Sequence, residues 1–212
     1  MQSARPEVPP RKLLIATGNL GKFSEYTDLL GDLPLQLTSL RDEGISQEVE
    51  ETGATYEENA RLKAEAYAKA SGLLTLADDS GLEVEALGGV PGPFSARYGG
   101  PGLRDAERVQ LLLRDLADVP SPRRSARFVC AIAIAAPNTP TQLMQGECSG
   151  TIALEPLGNN GFGYDPVFLF PELGKTLAEL QSAQKNAMSH RGNAARKAKA
   201  LLLQLLKEGK ES

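Results

Sequence analysis

The sequence predicts an α/β fold, because apolar runs of strand length alternate with segments whose apolar residues recur every three or four positions. Residues 12–16 (KLLIA) form such a run and lead directly into a helical pattern. Two longer runs, at 126–136 and 142–153, flank the turn sequence PNTP and are typical of paired strands. Glycines and polar residues gather where these runs end, which is where open α/β sheets bind ligands.

The N-terminal part of the chain predicts one strand–helix unit followed by a second strand. After the first strand, Asn19 is the predicted N-cap of a helix and Gly31 its predicted stop. A short strand is expected at 35–40. Residues 1–11 are expected to form a disordered leader, because they contain no periodic apolar pattern.

A long second helix is predicted by the capping-box pair Thr55 and Glu58, and it should continue to about Ser71. The apolar run at 73–78 then reads as a buried strand. Residues 80–87 are interpreted as the return arm of a tight hairpin, since Ser-Gly follows the run.

The C-terminal half predicts two further helices and a short extended segment. A Gly/Pro-rich loop at 88–102 precedes a helix near 104–117, whose leucines and valine recur at helical spacing. A short segment is expected at 176–180, and a last helix, basic on its outer face, at about 192–208. No internal repeat is present in the sequence.

Composition excludes several classes of function. The net charge of −4 gives no general affinity for nucleic acid polymers or acidic membranes. The longest apolar run, 128–136, is far shorter than the ~20 residues of a membrane span, and the first residues carry no apolar signal core. Cys130 and Cys148 lack metal-type spacing and are interpreted as buried thiols of a cytoplasmic protein. His190 is the only histidine, which excludes a multi-histidine zinc site.

The stretch ATGNLGKFSE (16–25) runs from a buried strand into a helix N-terminus, where backbone N–H groups and the helix dipole favour an anion. Lys22 would add a full positive charge over a polyphosphate. The spacing differs from that of the P-loop motif. The alternative interpretation is a glycine-bearing turn with a surface lysine.

Acidic residues form a second group, in EVEETG (48–53) and LADDSGLEVE (76–85). Asp78 and Asp79 end a buried strand, and alternation sends their side chains to opposite faces, so at least one should face a crevice. Mg²⁺ is typically held by one or two carboxylates with phosphate oxygens and water, and a carboxylate beside such a site could accept a proton from water. For most acids of the first stretch, a solvated loop is the alternative.

Two further stretches combine donors and aromatic rings. KNAMSHRGNAARKA (185–198) gathers basic side chains before and within the last helix. A plain basic helix face is the alternative; it explains the helix lysines well but Ser189-His190-Arg191 less well. GFGYDPVF (161–168) is too rich in glycine for a regular element, and a turn that happens to hold aromatics is its alternative. Taken with the phosphate-binding and acidic stretches, these describe a nucleoside triphosphate site, in which a ring such as Phe162 stacks on a base.

With these motifs, the chain resembles the inosine triphosphate pyrophosphatases, which hydrolyse non-standard purine nucleoside triphosphates. The resemblance rests on ATGNLGK, EETGATYEENARLKA, ADDSGLEVEALGGVPGPFSARYGG, GFGYDPVF, KTLAEL and KNAMSHRG, in this order. It implies one two-lobed domain over residues 12–208, with a long central mixed β-sheet flanked by helices and a cleft between the lobes. It also implies a homodimer and Mg²⁺-dependent cleavage of ITP, dITP or XTP to the monophosphate and pyrophosphate.

The resemblance also implies roles for individual residues. Asp79 would accept the proton of the attacking water and, with Glu50, hold Mg²⁺; Asp78 and Glu51 are the neighbouring alternatives. The substrate-binding residues would be Thr17, Gly18, Asn19, Lys22, Ser80, Phe162, Gly163, Tyr164, Asp165, Lys185, His190 and Arg191.

Two alternative functions remain open at the level of sequence. The Maf-like pyrophosphatases act on other modified or pyrimidine nucleotides, and the SHRG and GFGYD blocks argue against them. A nucleotide sensor would bind without turnover, and the intact Asp78–Asp79 pair argues against it, because a pure binder needs no proton acceptor.

Overall fold

The computed structural model describes residues 11–208. The expected leader therefore lies outside the described residues except for Arg11, whose carbonyl accepts a hydrogen bond from the Gln36 amide at 3.0 Å. Among the described residues, no helix is long and apolar enough to cross a membrane.

A mixed sheet of seven strands forms the centre of the described chain. The strands are β1 (Lys12–Ile15), β2 (Gln36–Ser39), β3 (Leu74–Val84), β4 (Ser125–Ala135), β5 (Gln142–Ile152), β6 (Phe168–Phe170) and β7 (Lys175–Thr176). Their order across the sheet is β2-β1-β3-β4-β5-β6-β7. β1 is parallel to both β2 and β3, and every other neighbouring pair is antiparallel. The predicted mixed sheet is thus confirmed.

Helices flank this sheet, and the predicted starts of the first two are confirmed. The Asn19 side chain accepts the Lys22 amide at 3.1 Å, and Thr55 and Glu58 form the reciprocal capping box. Gly31 and Gly72 follow the last turns. The α-helices are α1 (Leu20–Leu30), α2 (Tyr56–Ser71), α3 (Asp105–Asp115), α4 (Ser182–Met188) and α5 (His190–Glu208).

The predicted hairpin over 73–87 is wrong, because β3 is one continuous strand paired with β4 from Thr75 to Val84. Gly81 is not a turn residue. A Cβ there would collide with the Gly92 carbonyl oxygen, so the glycine allows a 3-10 helix, Gly92–Arg97, to pack directly on the strand. As a result Asp78 and Asp79 lie in the middle of a strand rather than at its end.

The start of the last helix also differs from the prediction. His190 is the first residue of α5 rather than part of a preceding loop, and the short helix α4 comes before it. The Ser189 hydroxyl accepts the Gly192 amide at 3.1 Å, which is the contact of an N-cap residue. His190 and Arg191 are therefore held rigidly in a first helical turn.

The buried apolar side chains divide between two parts of the sheet, which form the two lobes. Around β1, β2 and the first half of β3 they cover both faces, against α1 and α5 on one side and α2 on the other. Beyond the middle of β3 they form a separate cluster with α3 and β6, including Leu82, Leu112 and Phe168. The central part of β3 crosses from one lobe to the other.

Candidate active site

A cavity of about 320 Å³ lies where the two lobes meet. Its walls come from the start of α1, the middle of β3, the 3-10 helix Gly92–Arg97, the loop at 161–165 and the first turn of α5. Most of the predicted site residues line it, namely Thr17, Gly18, Asn19, Lys22, Asp79, Ser80, Phe162, Gly163, Tyr164, Asp165, His190 and Arg191.

The start of α1 forms the anion-binding wall that the sequence predicts. The Thr17 hydroxyl accepts the Asn19 amide at 3.1 Å and fixes the turn before the helix. A Cβ added at Gly18 would meet no atom within 4 Å, so the backbone is open to the cavity there. Lys22 points inward, with its ammonium 2.9 Å from an Asp78 carboxylate oxygen.

Asp78 lies behind this wall and does not line the cavity. Its side chain is 1% exposed, and Oδ2 lies 2.9 Å from Lys22 and 3.5 Å from Arg191. Burial alone would raise the pKa of Asp78, but the charges of Lys22 and Arg191 outweigh it and hold that pKa well below its usual value. Asp78 therefore stays ionised and holds two cations of the site in place.

Asp79 points to the opposite face of β3 and lines the cavity. Its Oδ2 accepts the Asn59 side-chain amide at 3.1 Å, and its Oδ1 accepts the Ser80 backbone amide at 3.0 Å. Asn59 is in turn fixed because its carbonyl oxygen accepts the Gly53 amide at 2.8 Å. Burial raises the pKa of Asp79. An oriented carboxylate with a raised pKa is suited to accept a proton.

Glu51, rather than the predicted Glu50, accompanies Asp79 in the cavity; Glu50 is exposed and outside the lining. Lys63 joins the two carboxylates, with its ammonium 2.6 Å from Glu51 Oε1 and 3.7 Å from Asp79 Oδ1. Two carboxylates that share one cation have the donor chemistry of a Mg²⁺ site completed by substrate oxygens. No group of three or more acidic, cysteine or histidine side chains that could form a complete metal cage occurs among residues 11–208.

The loop at 161–165 forms the aromatic wall. The Phe162 ring rests on α1, where a Cβ on Gly21 would lie 2.5 Å from it, and the Lys185 ammonium is 4.8 Å from the ring centroid. Asp165 braces the loop by accepting the Phe162 amide at 2.9 Å and by pairing with Lys185. The ring is thus held by contacts on several sides while it lines the cavity.

The neighbours of Phe162 are tied to other elements of the fold. The Gly163 amide donates to Asp105 at the start of α3, at 2.8 Å, and Gly163 adopts a positive φ of 60°. The Tyr164 hydroxyl donates to the Ser95 carbonyl at 2.9 Å, and its ring is buried. In this structure Tyr164 and Asp165 support the wall through contacts within the protein.

Glu25 organises the basic residues of the site, although the motifs do not single it out. Its two carboxylate oxygens pair with Lys185 at 2.7 Å and with Arg191 at 2.6 Å. Lys185 lies between Glu25 and Asp165 and does not itself line the cavity. Arg191 reaches the cavity and donates to the Ser80 hydroxyl at 2.9 Å.

His190 lies flat against Phe128, with ring centroids 4.6 Å apart and planes 12° from parallel. Burial, reinforced by the charges of Arg191 and Lys185, lowers the pKa of His190 well below its usual value. The imidazole is therefore neutral at pH 7. Its Nδ1 is buried and has no hydrogen-bond partner among the described residues.

Because the pKa of His190 is lowered, we predict that the free energy of unfolding falls in mildly acidic solution. The unfolded chain binds a proton at this histidine below pH ~6.5 while the folded chain does not, so stability present above that pH is lost as pH falls. We expect the free energy of unfolding to fall by about 1.4 kcal/mol more between pH 7.5 and 5.5 than it does in His190→Asn. Urea unfolding of both proteins measures this, and equal losses would contradict it.

Several site residues were not predicted, namely Glu25, Asn59, Lys63, Arg97, Asp105 and Phe128. The positions of Asn59 and Lys63 in the predicted helix could have indicated that they belong to the site. They are polar residues four positions apart, beside the apolar stripe of a predicted helix, and such placement requires buried partners. Glu25 similarly precedes the buried Tyr26 on α1.

Comparisons with known proteins identify relatives over most of the chain. The Ham1 family profile matches residues 13–201. A dITP/XTP pyrophosphatase of Exiguobacterium sibiricum is 49% identical over 93% of this chain and 100% of its own length. Another from Streptococcus pyogenes serotype M3 is 50% identical over 87% of this chain, a match that spans 57% of that longer protein.

A solved structure agrees as well. A Ham1 protein from Coxiella burnetii superposes with a TM-score of 0.83 at 41% identity, over 92% of this chain and 99% of that one. The residues that the family profile matches include both lobes and every wall of the cavity. The chain therefore belongs to the Ham1 family.

Proposed function

We propose that the protein hydrolyses non-standard purine nucleoside triphosphates (ITP, dITP and XTP) to the monophosphate and pyrophosphate. One observation carries the proposal: a single cavity joins a helix N-terminus, Lys22 and a carboxylate pair to a wall made of Phe162 and His190. The first group suits a polyphosphate and the second a purine. The dITP/XTP pyrophosphatase activity named for the relatives from Exiguobacterium sibiricum and Streptococcus pyogenes supports the same substrate class.

In the proposed mechanism, Asp79 accepts a proton from the water that attacks the α-phosphorus. Asn59 donates to one carboxylate oxygen of Asp79 and the Ser80 backbone amide donates to the other, and together they fix the orientation of this carboxylate in the cavity wall. Lys22 and the N–H groups of α1 stabilise the negative charge that develops on the departing pyrophosphate. The Lys63 ammonium lies within 4 Å of both Glu51 and Asp79, so we place it among the groups that stabilise the same negative charge on the pyrophosphate.

Mg²⁺ is the proposed cofactor, and Glu51 and Asp79 would hold it. When bound, the ion would neutralise phosphate charge and act as a Lewis acid. Their shared contact with Lys63 supports this assignment and favours Glu51 over Glu50. A homodimer and a cytoplasmic location complete the proposal; the free, buried thiols of Cys130 and Cys148 fit a reducing compartment.

Selectivity is proposed to follow from hydrogen bonds to the edge of the base. Arg191, or a backbone N–H beside it, would donate to the 6-keto oxygen of hypoxanthine or xanthine. Adenine carries a 6-amino group there and would leave a buried donor unpaired, which makes discrimination large. Guanine shares the 6-keto oxygen, so its rejection requires a second contact near position 2 of the ring.

A panel of nucleotides tests the proposal. Release of pyrophosphate and of phosphate would be measured with ITP, dITP, XTP, dATP, dUTP and a methylated UTP in the presence of Mg²⁺. We expect kcat/KM for the deaminated purines to exceed that for dATP by ~100-fold or more. A preference for the pyrimidines would favour the Maf-like alternative, and binding without any release would favour the sensor.

Replacing Phe162 with alanine is expected to raise KM for purine substrates by about 5- to 150-fold, because stacking on an aromatic ring contributes about 1–3 kcal/mol per base. Phe162→Tyr keeps the stacking face and should stay close to the parent protein. Steady-state kinetics with dITP measures both variants. An unchanged KM in Phe162→Ala would mean that the ring serves only to pack against α1.

A further inference from the structure

Arg97 lies in the cavity wall, and no step of the mechanism above uses it. It is the last residue of the 3-10 helix Gly92–Arg97, and its guanidinium lies 3.8 Å from Glu51 Oε2. The side chain is 45% exposed, so it is a cation at the boundary between cavity and solvent.

The backbone that carries Arg97 is fixed to β3 and to the aromatic wall. The Ser95 hydroxyl donates to the Gly92 carbonyl at 2.6 Å and accepts the Leu82 amide of β3 at 2.8 Å. The Ser95 carbonyl accepts the Tyr164 hydroxyl of the aromatic wall. Arg97 is therefore placed in a defined position relative to both Asp79, on β3, and the base-binding wall.

The guanidinium itself is only loosely held. Its ion pair with Glu51 is long and half exposed, and such pairs contribute little to stability. The other carboxylate oxygen of Glu51 is taken by Lys63 at 2.6 Å. Phe94 supports the guanidinium from one side, with its ring centroid at 5.1 Å. The Arg97 side chain can therefore turn towards an incoming anion at small cost, while its backbone stays fixed.

Lys22 and Lys63, which also line the cavity, have closer partners than Arg97 does. Lys22 pairs with the buried Asp78, and Lys63 with Glu51 and Asp79. Contacts run from Asp79 through Lys63 and Glu51 to Arg97, so Arg97 continues the line of charged side chains that begins at the proposed proton acceptor. Arginine also presents a planar fork of donors that matches phosphate oxygens.

We propose that Arg97 binds the β- and γ-phosphates, the part of the substrate that departs as pyrophosphate. The inference rests on the proposed function and adds a determinant that distinguishes a triphosphate from the monophosphate product. Arg97 exchanges its loose contact with Glu51 for contacts with the phosphate chain, while Asp79 and the base-binding wall are unaffected.

Titration calorimetry with inorganic pyrophosphate, with and without Mg²⁺, tests this directly. Arg97→Gln should weaken pyrophosphate binding by about tenfold, while Arg97→Lys, which keeps the charge, should lose only about threefold. Binding of deoxyinosine monophosphate should change by less than about twofold in both variants, because that ligand lacks the departing phosphates.

Arg127→Gln is the matched control. Arg127 is 52% exposed and pairs with Glu83 at 2.7 Å on β3, but it lies outside the cavity, so its loss should leave pyrophosphate binding unchanged. Equal pyrophosphate affinity in Arg97→Gln and the parent protein would overturn the role of Arg97 alone. Failure of the parent protein to release pyrophosphate from dITP would instead overturn the proposed function.

Discussion

Asp79→Asn is expected to lower the turnover of dITP by about 10²- to 10⁴-fold, the range for loss of a general base. Asparagine has nearly the same shape, and it can still accept the Asn59 amide through its side-chain oxygen. What it cannot do is take a proton from water. Binding of dITP, measured by calorimetry, should therefore change by less than about tenfold.

The same variant should not lose stability, which separates a catalytic effect from a structural one. Burial raises the pKa of Asp79, so the folded state disfavours its charge, and a neutral side chain of equal size should be tolerated or stabilising. Urea unfolding at pH 7.5 measures this. Turnover close to that of the parent protein would remove Asp79 from the role of proton acceptor.

Asp78→Asn, unlike Asp79→Asn, should destabilise the fold. We expect a loss of about 3 kcal/mol in the free energy of unfolding, because removal of one partner leaves buried charges uncompensated. Lys22 and Arg191 both lie within 4 Å of Asp78 Oδ2. Because these cations depress the pKa of Asp78, its contribution is present above pH ~4 and is lost as pH falls through the folded-state value.

Asp32→Asn provides the control for this experiment. Asp32 pairs with Lys199 at 2.6 Å but is 69% exposed, so its removal should lower the free energy of unfolding far less than Asp78→Asn does. Urea unfolding at pH 7.5 would be measured for both variants. If Asp78→Asn were as stable as Asp32→Asn, the buried ion pairs around β3 would not have the structural role assigned to them.

The elements of the fold were largely predictable because their signals are local. The caps at Asn19 and Thr55 lie within a few residues of the helices they begin. The hairpin error arose at Ser80-Gly81, where the glycine serves the close approach of Gly92 rather than a turn. That approach depends on a segment eleven positions further along the chain, and local pattern does not contain it.

Site residues were predictable where a motif faces the cavity. They were not predictable where the contact joins residues that lie far apart in the sequence. Glu25 pairs with Arg191, 166 positions away, and nothing near Glu25 in the sequence indicates that partner. Lys185 carries a motif but lies behind the wall, since Glu25 and Asp165 hold it there. The choice of Glu51 over Glu50 likewise depends on Lys63 of another element.

The most direct test of the account is the position of the oxygen introduced by water. Hydrolysis of dITP in ¹⁸O-labelled water, followed by ³¹P NMR of the products, identifies the phosphorus that is attacked. We predict that the label enters deoxyinosine monophosphate and that unlabelled pyrophosphate is released. Label in pyrophosphate, or release of inorganic phosphate with deoxyinosine diphosphate, would contradict attack at the α-phosphorus.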